Sequence, residues 1–234
     1  MMEKGRDIMK KNITLLASLT MAIYVGSNFS TEAHAEKSDA NSVVNIQMLV
    51  GDENEERPPV GPTDPGDEGN DGTGNKGLLT IDRVPNLKFG EVNISGSDQV
   101  ESAINETPYV QVTDVRGTSA GWALYVKADE FSSDKQEKLK GATLALKNSS
   151  VSSSSSGKAI TPPKGSDLVL SPKAQKIMTA AKGSGEGTWL QAWNKNGSDE
   201  KNTNVQLSIL AGTAKANTEY KTTIYWELQD TPGK

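Results

Sequence analysis

Cysteine is absent from this chain and histidine occurs once, at His34. Without thiols there are no disulfides, no thiolate nucleophile and no zinc-thiolate site. Aromatic residues make up only 5% of the sequence, with four tryptophans. No long apolar stretch follows the N-terminal region.

The one run of apolar character lies at the start. Lys10 and Lys11 form a basic region after Met9, a better start than Met1, and Ile13 to Val25 is mostly apolar. Gly26 to Ser30 breaks the run, and Ala33-His34-Ala35 is a small-x-small cleavage site. That pattern is a secretory signal over residues 1–35, too short for a comfortable membrane span. Cleavage after Ala35 removes His34, so the exported chain has no His general base, triad or metal ligand. No membrane span is expected after cleavage. A secreted domain without disulfides then needs a real hydrophobic core.

Two segments precede the domain. Residues 36–50 are polar apart from an apolar patch, Val43-Val44-Asn45-Ile46 to Val50, with nothing obvious to pack on. Residues 51–77 are rich in Gly, Pro, Asn and acids and lack aromatics. Such a composition reads as a disordered acidic linker. It carries a formal charge of −6, whereas residues 78–234 are near +1. The acidity thus belongs to the tether, and a nearly neutral domain does not suit nucleic acid. The acids lack EF-hand spacing and read as a solvated spacer, with no metal or cofactor called for.

From Leu78 onward, period-two alternation dominates between turn residues. Leu79 and Ile81 share a face, as do Val110, Val112 and Asp114, and Ala142, Leu144 and Leu146. Val205, Leu207 and Ile209 repeat the pattern, and Tyr220, Thr222, Ile224, Trp226 and Leu228 extend it. Short strands at this spacing predict an all-β antiparallel sandwich or barrel-like domain over 78–234. One short helix is expected over Ala174 to Lys182, with Ser171 as cap, Pro172 in its first turn and Gly183 as stop. Residues 147–167, with serines at 149, 150 and 152–156, read as an exposed loop.

The tryptophans are the candidate functional residues. Trp122-Ala123-Leu124 and Trp226-Glu227-Leu228 each place a Trp and a Leu on one side of a strand. They can be core, forming one layer if their strands are neighbours, or an exposed strip that stacks on sugar rings. Trp189, Gln191 and Trp193 also share a face if extended. That face suits sugar stacking with a hydrogen bond, and equally a core strand.

Together these stretches resemble the WxL domain family of Gram-positive cell-surface proteins. Gly77-Leu78-Leu79-Thr80-Ile81-Asp82-Arg83-Val84-Pro85 to Phe89-Gly90 is similar to the family's first segment. Val112-Thr113-Asp114-Val115-Arg116-Gly117 leads into the proximal motif at Gly121-Trp122-Ala123-Leu124. Leu139 to Leu146 resembles the following strand, and Tyr220 to Pro232 the C-terminal motif. The resemblance implies a secreted, wall-associated protein that binds peptidoglycan or another wall glycan non-covalently and associates with other surface proteins, in adhesion or host contact. The chain shows no C-terminal sorting motif, so covalent anchoring is not expected. The alternative is a protein-docking component of a multi-protein surface complex. A wall-degrading enzyme working with two carboxylates finds no support, because nothing in the sequence places two of the acids together.

Overall fold

A computed structural model describes residues 40–154 and 160–230. The predicted signal peptide lies outside the described residues. Two compact units divide at Ile46/Gln47. Of the first, only residues 40–46 are described, and all are exposed. The second holds the β-domain.

Twelve strands appear among the described residues: β1 (Leu79–Arg83), β2 (Gln99–Ala103), β3 (Tyr109–Asp114), β4 (Trp122–Ala128), β5 (Thr143–Leu146), β6 (Ser150–Ser153), β7 (Lys164–Gly165), β8 (Leu168–Val169), β9 (Gln175–Ala180), β10 (Gly187–Ala192), β11 (Asn202–Ile209) and β12 (Ile224–Gln229). They form three four-stranded antiparallel sheets, β1-β3-β10-β6, β2-β11-β5-β8 and β12-β4-β9-β7. The result is the expected all-β sandwich. Alternation explains the core: Val110, Val112, Leu124, Leu146, Val205 and Leu207 all point inward and are buried. No helix among the described residues is long and apolar enough to cross a membrane.

The expected helix over 174–182 is instead a strand. Residues Gln175–Ala180 form β9, paired with β4 on one side and β7 on the other. The register shifts between Leu124 and Tyr125, so Ile177 and Met178 are both buried despite being adjacent. Such a bulge breaks period two, and pairing with two neighbours outweighs helix propensity. Ser171 does not cap a helix; its carbonyl accepts the Ala128 N–H at 3.0 Å.

The presumed exposed loop 147–167 also carries structure. Its described parts include β6, paired with β10, and β7, paired with β9.

The stretch 51–77 departs most from expectation. It is not a solvated tether but a strap across the outer face of β3. Every residue of β3 is buried, although only Val110 and Val112 belong to the apolar core. Tyr109, Gln111 and Thr113 face the other way; the strap covers Tyr109 and Gln111, and the Thr113 hydroxyl meets Asp82 and Thr188. The Val60 N–H donates to Gln111 Oε1 at 2.8 Å, and Gln111 Nε2 donates to the Pro58 carbonyl at 3.1 Å. Gly61 sits so close that a Cβ there would fall 2.5 Å from the Tyr109 ring and 2.7 Å from Leu190.

Two of the strap's eight acids, Asp64 and Asp67, are buried and structural. Asp64 accepts from the N–H groups of Gly66 and Glu106 and from Asn105 Nδ2. Asp67 pairs with Arg83 at 3.0 Å and also accepts from the Asn86 backbone and from Asn70 and Asn86 side chains. Polar-on-polar burial of this kind gives no apolar signal, so composition alone reads it as a linker.

Candidate functional site

The two Trp-x-Leu strands are neighbours. β12 pairs with β4 so that Leu228 lies opposite Leu124 and Trp226 opposite Val126. On the far side of β4, Leu124 meets Met178 and Trp122 meets Ala180. Opposed residues of an antiparallel pair share a face, so both triplets belong to one apolar layer.

That layer is not uniformly covered. Trp122 and Leu124 are fully buried, while Ile224, Trp226 and Leu228 are only partly so. The cause is position in the sheet. β4 is flanked on both sides, whereas β12 is an edge strand.

Trp122 is locked in place. Its Nε1 donates to the Gly185 carbonyl at 3.0 Å, and Gly185 itself has φ +77°. A side chain at position 185 would collide with Ala180 and approach Trp122 Nε1 to 2.8 Å, so glycine is required there. The next residue extends the lock. The Glu186 carbonyl accepts from Trp189 Nε1 at 2.8 Å, and its carboxylate accepts from the Ser119 N–H and hydroxyl, each at 2.8 Å. Just before the motif, Arg116 forks onto Asp114 at 3.0 and 2.7 Å and donates to the Gly121 carbonyl. The hydrogen bond to Asp114 holds the Arg116 pKa above its ordinary value.

Trp189, Gln191 and Trp193 do share a face, and it is the inner one. Trp189 lies opposite Val112 and Gln191 opposite Val110. All three are buried. Gln191 Nε2 donates to Ser149 Oγ and the Ser166 carbonyl. Of the seven residues singled out from sequence, Trp122, Leu124, Trp189, Gln191 and Trp193 therefore lie inside the sandwich and have no surface to offer a glycan.

Trp226 is different. It lines a groove of about 1300 Å³ that opens beside β12. Phe131, Leu139, Leu144, Leu207 and Ile209 also line it, together with Ile224. The walls come from residues 84–94 and 214–223, which bring Phe89, Tyr220 and the polar side chains Asn86, Asn93, Gln99, Asn217 and Thr218. Its carboxylates are Glu91 and Glu219, and Glu219 is paired with Lys221 at 3.1 Å. That hydrogen bond raises the Lys221 pKa. No cluster of His, Cys, Asp or Glu suited to a metal exists among the described residues. Sequence reading missed most of this groove, because residues 84–94 and 214–219 lack periodicity. The clustered Asn, Thr and Tyr near 217–222 are the only hint.

On the outer face of the same sheet, Tyr225 is exposed with Lys127 over its ring at 4.9 Å. Its hydroxyl donates to Asp129 Oδ2 at 2.9 Å, and this bond, with the carboxylate's charge, pushes the phenol pKa up.

A family model described as "WxL domain surface cell wall-binding" matches residues 35–232. The chain belongs to the WxL family. It is accordingly a cell-surface, wall-associated protein, and the WxL family is one of binding domains rather than of enzymes. No curated protein and no solved structure matches it. In this WxL domain the naming residues divide their labour: Trp122 and Leu124 hold the fold, and Trp226 reaches the groove.

Proposed function

We propose that this protein, exported with loss of residues 1–35, attaches non-covalently to peptidoglycan through the groove beside β12. The half-buried Trp226 carries this reading. An indole at the base of a groove rimmed by amides and hydroxyls suits a sugar ring, whose faces stack on aromatics and whose hydroxyls take hydrogen bonds. Catalysis forms no part of it. The buried carboxylates Asp64, Asp67, Asp82 and Asp114 are each occupied by structural hydrogen bonds. Of the two in the groove, Glu219 is held by Lys221.

Co-sedimentation with purified cell walls tests this. Trp226→Ala should retain the folded far-UV signature and lose most wall binding. Unchanged binding by that variant would place the wall contact elsewhere. A protein-docking role in a surface complex is favoured by one observation, the exposed apolar side chains from Val43 to Val50.

A further inference from the structure

Among the described residues, two surfaces are apolar and uncovered. The first is the segment Val43–Val50, whose large apolar residues are between 59% and 91% exposed. Six of its eight residues are Val, Ile, Met or Leu, and Val44, Ile46, Met48 and Val50 fall on one side of an extended chain. An uncovered stretch of this composition readily pairs with a strand edge. The second is the edge of β12 with the groove beside it. Among the described residues β12 has a strand neighbour on one side only, and its inward residues Ile224, Trp226 and Leu228 are left half-covered. Another strand laid along that edge would continue the sheet and cover them.

We propose that Val43–Val50 of one copy adds as a strand along the free edge of β12 in a second copy, filling the groove beside Trp226. This is strand addition, in which main-chain hydrogen bonds supply affinity and alternate side chains fill the groove. The lengths match, since β12 has six residues and the segment eight.

Charge matches as well. The groove carries Lys88, Lys215 and Lys221 against Glu91 and Glu219. The residues that follow the segment are Asp52, Glu53, Glu55 and Glu56. That acidic flank also argues against an anionic membrane as the segment's partner.

In the folded chain Val43–Val50 lies uncovered while Gly51 is tied to the Val115 carbonyl at 3.1 Å, so the chain does not fill its own groove and the occupant is a second copy's segment. The contact joins two different surfaces, so it is heterologous and generates chains or rings of copies. Strand and sugar would occupy the same groove, so a strand-filled copy and a wall-bound copy are alternatives, and the inference holds whichever wall sugar the groove accepts.

Light scattering on the exported chain across a hundredfold concentration range reads it. Multimers should grow with concentration. Ile46→Lys, which leaves the groove intact, and Ala214→Arg, which obstructs the groove and leaves the segment intact, should each be monomeric. An equal mixture of the two variants should form a 1:1 dimer, because one supplies the strand and the other the groove. A wild-type chain that stays monomeric throughout overturns the proposal, as does a mixture that stays monomeric while both variants are folded by circular dichroism. Wall co-sedimentation of the Ile46→Lys variant, run in parallel, separates this outcome from the glycan reading, since its monomer keeps Trp226 and the groove.

Discussion

The Arg83 guanidinium lies 3.0 Å from the Asp67 carboxylate, and both side chains are 3% exposed. Arg83 also stacks on the Tyr109 ring at 4.2 Å and donates to the Tyr109 carbonyl at 3.2 Å. Burial pushes the Tyr109 phenol pKa up, and the neighbouring Arg83 charge works against that rise. One ion pair thus ties the strap to β1 and β3. Removing one partner of a buried pair leaves the other charge uncompensated and costs about 3–5 kcal/mol. Asp67→Ala should lower the urea midpoint accordingly, with little change in m-value. A loss below about 1 kcal/mol would mean that the strap contributes little to the fold.

Amide hydrogen exchange should find the strap protected in spite of its composition. The N–H groups of Gly51, Val60, Asp67 and Thr73 are all engaged, with Val115, Gln111, Asp64 and Asp82 respectively. They should exchange slowly, on the timescale of core strands, while the exposed amides of residues 43–46 exchange at once. Rapid exchange at Val60 and Thr73 would restore the linker reading.

The two motif tryptophans should respond differently to the same truncation. Trp122→Ala removes a fully buried indole and its hydrogen bond to Gly185, at a cost of about 3–5 kcal/mol. Trp226→Ala removes a half-covered one, at a cost of roughly 1–2 kcal/mol. Chemical denaturation of both variants measures the difference. Equal losses would mean that Trp226 is as enclosed as Trp122.

Acid should loosen the region that holds β6. Burial raises the Asp167 pKa, but the N–H groups of Asn148 and Ser149 and the Ser149 hydroxyl together hold it below the ordinary value. These donors lie 2.7, 3.1 and 3.3 Å away. With the folded pKa below the unfolded one, the stabilisation is complete above about pH 4 and is lost as pH falls through the folded value. Asp167→Asn should remove this acid limb. A side-chain carboxyl NMR titration, with the Ser149 amide shift as reporter, would show the same step in the wild type and none in the variant.

Much of the sandwich was legible because inward strands such as Val205-Gln206-Leu207 alternate cleanly, and alternation is what a half-buried strand imposes. β9 was not, because its bulge puts Ile177 beside Met178 and its Ala, Gln and Lys residues favour a helix when considered alone. The strap was not, because Asp64 and Asp67 are buried by hydrogen bonds that only the folded partners reveal. The site was half legible. Two same-face Trp-Leu pairs followed from spacing, but that Trp122 is enclosed and Trp226 open depends on strand order within the sheet. Strand order is set by contacts distant in sequence, and no local pattern reports it.

The strap also fixes how far the protein can reach. A flexible stretch of its 27 residues would give a mean end-to-end distance of about 26–31 Å, letting whatever precedes it explore a wide volume. Packed against β3 it gives almost none, so the chain ahead of Gly51 starts from a fixed point on the β-domain at Val115. The strap thus adds nothing to the reach of residues 36–50, which extend from that point by their own length alone.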